Sequence, residues 1–447
     1  MPRWSDVFGG VGLADVLVAL LLASVLLFPA AAGNKAWPPA LALLAVYASV
    51  QIVRRRRLPP TPLAIIGYTA VCVLAVIHGG IDARVEVWRY FAGPLTALAV
   101  ATVVVTARQR LRVLIVFVAL VLLQIPVAVG QMVDKLVTYG RHPDLGDFVY
   151  GTLGRDHAGI LTLVTVAAAA IVLAGWLCDA LSTWTVVVLE AGLLSLAVFS
   201  ATRAAPAFIV FTCVAMLAAI ALHGREPALR RLIAAALASV VAGLVVLGLI
   251  VTIYPNAFRG AFSSQEHTIL GQSSTPPGGS GRSSPDLAHT ITPLLPGRVA
   301  QMRLAARLSV HSGAAVAVFG RGLGRSEVRV LYTEASQIPP PRRTATTWIG
   351  KALTETGWLG LIAFAGLICW LVVLGWRLWG RPVAPLADRV MGAALPGIAA
   401  LTAAGAGYAT ILSVRGYSTV FWVLVGVGIA AAYRPDEASR LPQEADG

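Results

Sequence analysis

The chain has 447 residues, 57% of them hydrophobic and only 13% charged, with a net charge of +14 from 35 basic and 21 acidic side chains. A soluble domain carries about 25% charged residues; a mean hydropathy of +0.78, with apolar runs of about twenty residues, reads instead as a polytopic membrane protein. Disordered, collagenous and disulfide-rich secreted chains are excluded, and the basic excess points to topology and anionic lipid rather than to nucleic acid.

Met1 to Asp6 lead directly into the first apolar run, with no small-residue cleavage site at its end, so no removable leader is expected. Twelve helices are expected, at 11–32, 37–53, 62–80, 91–107, 112–132, 157–177, 182–201, 204–223, 232–254, 346–375, 390–412 and 417–433. The fold class is all-α. Residues 1–254 form nine spans, 255–345 a large extracytoplasmic loop with a surface helix, 346–433 three further spans, and 434–447 a short cytoplasmic tail. Basic clusters occupy four short loops: Arg54 to Arg57, Arg108/Arg110/Arg112, Arg225/Arg230/Arg231 and Arg377/Arg381/Arg389. With twelve spans and the N-terminus inside, all four lie on the cytoplasmic face, as the positive-inside rule requires, and both termini are cytoplasmic. Cys72, Cys178, Cys213 and Cys369 all lie in apolar runs, where neither an extracytoplasmic disulfide nor a zinc cluster is expected.

Along the chain, several residues could carry chemistry. Asp156-His157 opens the sixth helix and could act as a carboxylate-oriented base. Glu190, in the seventh helix, lies nearer its cytoplasmic end and reads as structural. Ser200-Ala201-Thr202-Arg203-Ala204 is a tight joint between two helices at the outer face. Arg203 there either meets an anionic partner or snorkels to the interface. The loop 255–345 holds ten arginines against Glu266, Asp286, Glu327 and Glu334. That excess suits either a bound polyanion such as a lipid diphosphate or attraction to anionic phospholipid. Within it, Ser273 to Pro285 is a low-complexity stretch expected to be mobile. Arg298, Arg303 and Arg307 alternate with apolar residues through Val318, as in a helix lying at the membrane surface.

Phe319-Gly320-Arg321-Gly322-Leu323-Gly324, followed by Arg325, lacks the strand-turn-helix context of a nucleotide site and reads as a turn that lets backbone approach a ligand, or as a connector. Glu355, about ten residues into the tenth span, is a functional candidate because it is an intramembrane carboxylate; its structural alternative is an ion pair with Lys351. Of the seven histidines, His157 and His311 are the candidates to accept a proton. No H-E-x-x-H, D-x-D or G-x-S-x-G occurs, and no metal or cofactor is expected. No internal repeat is evident, so an inverted-repeat transporter is not supported.

The order of these features resembles the O-antigen ligase and polymerase superfamily of multi-span glycosyltransferases. Ser200 to Ala204 resembles the family's S-R-x-A turn, whose arginine contacts a diphosphate. Gly297-Arg298 with Met302 resembles the start of its loop helix and second essential arginine. Phe319 to Gly324 resembles F-G-x-G-x-G, and Leu353-Thr354-Glu355-Thr356-Gly357-Trp358-Leu359-Gly360 resembles L-x-E-x-G-L-x-G. A fainter echo runs from Tyr150 to Gly159. One departure matters: the family's His-Asn pair, eleven residues before the first of those glycines, corresponds here to Thr346-Thr347. Either His157, His311 or Glu355 takes the proton, or the reaction proceeds with little base assistance, or the protein only binds the lipid.

The resemblance implies metal-independent transfer of a glycan from a polyprenyl-diphosphate donor to a glycan or lipid hydroxyl at the outer face of a bacterial inner membrane. Arg203 and Arg298 would clamp the diphosphate. Arg303, Arg321, Arg325, Gly322, Gly324 and Thr346 would line the substrate, and the polyprenyl tail would lie between spans. The competing expectations are a flippase or transporter for the same lipid and a non-catalytic lipid-binding relative.

Overall fold

The computed structural model describes residues 10–27, 35–56, 61–80, 87–139, 149, 151–153, 158–200, 205–222, 233, 302, 305–307, 309–324, 347–381, 383–408, 411–412 and 415–433. All regular structure among them is helical: α1 Leu13–Leu26, α2 Trp37–Arg55, α3 Leu63–Gly79, α4 Val87–Val103, α5 Ala107–Leu122, α6 Gln124–Tyr139, α7 Ala158–Leu177, α8 Thr183–Phe199, α9 Ala205–Ala221, α10 Ala314–Phe319, α11 Trp348–Trp379, α12 Leu386–Tyr408 and α13 Arg415–Tyr433. Five segments are long and apolar enough to cross a membrane: Ala107–Asp134, Ala158–Leu177, Trp348–Trp379, Leu386–Tyr408 and Gly416–Tyr433. The chain is therefore a membrane protein, all-helical over its described residues. The expected span 232–254 apart from residue 233, the low-complexity stretch, residues 298–301 and the tail 434–447 lie outside the described residues.

Local sequence sets several helix starts. Thr106 caps α5, its hydroxyl accepting from Gln109 N at 3.2 Å while Gln109 Oε1 accepts from Thr106 N at 3.1 Å. Thr347 caps α11 in the same way, accepting from Gly350 N at 3.2 Å. The expected span 112–132 is two helices, α5 and α6, that meet at Leu123, just before Pro126, whose missing N–H cannot continue the ladder.

α7 is buried nearly all round, as a helix without a polar face must be. α12 is the hub, packing on α11, α9, α7, α13 and α5. It approaches α11 most closely at Gly375 and Gly392, where a Cβ would stand 2.6 Å from Pro396 Cδ and 2.5 Å from Trp379 N respectively. Small residues at such a crossing let helix backbones come together.

One end of the bundle is tied by arginines. The sequence places Arg110 and Arg112 in the basic cluster of a short loop at the start of span 112–132; in the structure α5 begins at Ala107 and both are buried. Arg110 grips Asp388 at the start of α12 with two bonds, 2.6 and 3.0 Å long, and donates a third to Val105 O at 2.7 Å. Arg112 reaches Asp15 of α1 at 2.6 Å. Arg381, after α11, donates to Ala431 O and Ala432 O at 3.0 and 2.9 Å, capping the end of α13. A guanidinium is tolerated in such a place because carboxylates and carbonyls take its protons. These contacts gather the start of α1, the α4–α5 turn, the α11–α12 turn and the end of α13 at one end of the bundle.

Candidate functional site at the glycine-rich end

The opposite end is built around backbone rather than charge. Gly320, Gly322 and Gly324 have φ of 78°, 100° and 84°, which favours glycine. Gly357 (φ 66°, ψ −165°) interrupts α11. A helix broken there leaves the preceding carbonyls without ladder donors. Arg321 N donates to Thr354 O at 2.9 Å and Gly322 N to Glu355 O at 3.1 Å. The fit admits no side chain: a Cβ on Gly320 would lie 2.4 Å from the Glu355 carbonyl, and one on Gly357 2.4 Å from Val318 O. A third backbone joins them, since a Cβ on Gly79 at the end of α3 would lie 2.3 Å from the Arg321 carbonyl. His78, just before it and exposed, lays its ring against Phe319 with centroids 5.5 Å apart.

Beneath this junction lies a buried polar cluster. Glu355 is fully buried, accepts from Tyr90 Oη of α4 at 2.6 Å, and stands 3.7 Å from Lys351 Nζ one turn earlier. Tyr68 and Cys72 of α3 lie within electrostatic reach of the same carboxylate. Trp348 covers Tyr90, with ring centroids 5.4 Å apart. The carboxylate thus joins α4 to α11 directly below the glycines.

A second polar knot lies at the end of α1. Gln124 Nε2 donates to Leu26 O at 2.8 Å, while its Oε1 accepts from Thr152 N at 2.9 Å; Thr152 Oγ1 also bonds Leu26 O. Gln131 exchanges two bonds with Gly151, 3.0 and 2.7 Å long. The Tyr150–Gly159 echo is therefore a built turn over its described part, 151–153. Ser200, which opens the Arg203 joint, is buried and bonds Thr162 of α7 at 2.5 Å.

Among the candidate site residues, Arg321, Gly322, Gly324, His311 and Glu355 come together at this end. Arg321 Nη2 donates to Ser312 Oγ at 2.7 Å, linking the glycine segment to the helical turn carrying His311. His311 is exposed, with Nδ1 2.7 Å from Arg307 O. The expected surface helix is helical at 302, 305–307 and 309–311, and Gly313 (φ 99°) breaks it before α10. Arg203, Arg298, Arg303, Arg325, His157 and Thr346 lie outside the described residues.

Two features were not read from the sequence, and a third was placed differently. Tyr90 has no local signal, being an aromatic in an apolar run. Gly79 and Gly80 close α3, and the segment they meet lies some 240 residues away. Glu190, read as nearer the cytoplasmic end, is the eighth of the seventeen residues of α8 and thus at its middle. Among the described residues its Oε1 is buried with no hydrogen-bond partner, in a small cavity of about 20 Å³ shared with Thr212 and Cys213.

Fold and site together define a helical membrane protein with an interlocked glycine junction at one end and arginine–carboxylate ties at the other. No family model matches the chain, and no curated protein is similar to it.

Proposed function

We propose that the protein is a glycosyltransferase that moves a glycan from a polyprenyl-diphosphate donor to a hydroxyl acceptor at the outer face of a bacterial inner membrane, as a ligase or a polymerase. The observation that carries this reading is the joining of two motifs, 320–324 and 353–360, noted separately in the sequence and bonded through Arg321 N and Gly322 N. In the same reading the chain crosses the membrane twelve times, both termini are cytoplasmic, and loop 255–345 is external. The basic clusters and the shared arginine-rich end support that orientation.

The acceptor oxygen attacks the anomeric carbon as its bond to the diphosphate oxygen breaks. The diphosphate leaves with the electron pair and the acceptor proton passes to a base, His157 or His311. Arg203 and Arg298 stabilise the developing charge with paired hydrogen bonds. Glu355 is a positioning residue: Tyr90 and Lys351 engage it below the junction, and it sets the kinked stretch of α11 that receives the glycine segment. Complementation of a deletion strain tests the reading. Wild-type protein restores long envelope glycan, whereas Arg203→Ala and Arg298→Ala fail while reaching the membrane in equal amount. Each lost donor lowers the rate about 10²–10³-fold. Restoration by either variant refutes the clamp.

Glu190 favours a second reading. A mid-helix carboxylate whose Oε1 has no hydrogen-bond partner among the described residues is the kind of group that transport pathways use. A transporter would leave the glycan attached to its lipid and move it between leaflets, and Glu190→Gln would abolish movement. The enzyme predicts that Glu190→Gln still transfers.

A further inference from the structure

An apolar groove of about 280 Å³ runs between α5, α7, α8 and the start of α12. Its α5 wall is one stripe, with Leu111, Ile115, Val118 and Leu122 recurring at three- and four-residue spacing. At 1.5 Å per residue, Leu111 to Leu122 spans about 16 Å, roughly half of the ~30 Å hydrocarbon core. The groove is therefore one leaflet deep, and it starts at the arginine-rich end, where Leu111 and Leu386 lie close to the Arg110–Asp388 tie.

The charges at its mouth are sorted by pairing. Arg110 and Arg112 are buried and taken by Asp388 and Asp15. Arg108 lies one turn before Leu111 on the same stripe, and is exposed. Arg389 lies one turn beyond Leu386 on the facing helix and is half-buried. Among the described residues neither forms an ion pair. Asp179, the nearby acid in the α7–α8 turn, is already engaged. Trp184, 79% exposed, stands one turn beyond the groove residue Leu181, where an indole marks the headgroup level.

We propose that this groove binds an anionic phospholipid of the leaflet at the arginine-rich end, one acyl chain lying along the α5 stripe and the phosphate region facing Arg108 and Arg389. A wholly apolar groove accepts any acyl chain; the two unpaired guanidiniums select the headgroup of net negative charge. The site is independent of the proposed transferase centre, which lies at the opposite end.

The test is native mass spectrometry of the full-length protein released from mixed micelles of phosphatidylglycerol and phosphatidylcholine with identical chains. Two surface arginines predict roughly 30-fold preferential retention of phosphatidylglycerol. Arg108→Gln and Arg389→Gln should each lower that preference about 5-fold. Ala119→Phe, at an exposed groove position, should lower retention of both lipids. Thermal melting checks that each variant is folded. Equal retention of the two lipids, or a preference untouched by both arginine variants, would overturn the proposal.

Discussion

Gly357→Ala probes the glycine junction directly. Its conformation, φ 66° and ψ −165°, belongs to a region open essentially to glycine, where another residue costs about 1–3 kcal/mol. The new Cβ would also stand 2.4 Å from Val318 O and 2.6 Å from Gly320 N. Both are backbone atoms, so no side chain can swing away. Relief comes only if α11 straightens or segment 318–322 lifts, and either motion breaks the Arg321–Thr354 and Gly322–Glu355 bonds. A cost of about 1–3 kcal/mol raises the undocked fraction roughly 5- to 150-fold. Amide hydrogen exchange in detergent micelles, followed by mass spectrometry, reads that fraction from peptides covering 318–324. Exchange there should accelerate by the same factor, while α12 and α13 stay protected. Gly366→Ala, in the same helix with open space around its Cβ position, should leave 318–324 unchanged. If Gly357→Ala exchanges like wild type, the two motifs are not held together as described.

Two other sites give sharp expectations. Asp388→Ala strands the fully buried Arg110 and should cost about 3–5 kcal/mol, seen as a large fall in the detergent melting temperature. Arg110→Met combined with Asp388→Leu should recover most of it, and a single variant that melts like wild type contradicts the buried tie. Tyr90→Phe removes the 2.6 Å donor to the Glu355 carboxylate and should destabilise by about 1.5–3 kcal/mol. An unchanged melting temperature would mean that the carboxylate is held by other groups.

Much of the helical architecture was readable because hydropathy is local: an apolar run of membrane length declares itself without reference to the rest of the chain. What the sequence hid was pairing. Arg110 looked like one member of a basic loop because Asp388 lies 278 residues away, and nothing near it signals a partner. The start of α5 was misplaced for the same reason: arginines mark loops unless something buried neutralises them. At the site, glycine spacing and Glu355 were visible, but Tyr90 was not, since its role depends on a carboxylate 265 residues distant. Thr347 shows the reverse case. It stands at a position where the resemblance noted in the sequence would place part of a His-Asn pair, and the structure gives it a local task, capping α11.

Reconstitution of the pure protein in liposomes that carry a radiolabelled polyprenyl-diphosphate glycan and an acceptor bears most directly on function. The label should move from lipid to acceptor, with release of polyprenyl diphosphate, and Arg203→Ala should stop it. Label that crosses to the other leaflet still joined to its lipid, with no transfer, would contradict the enzyme and leave a transporter.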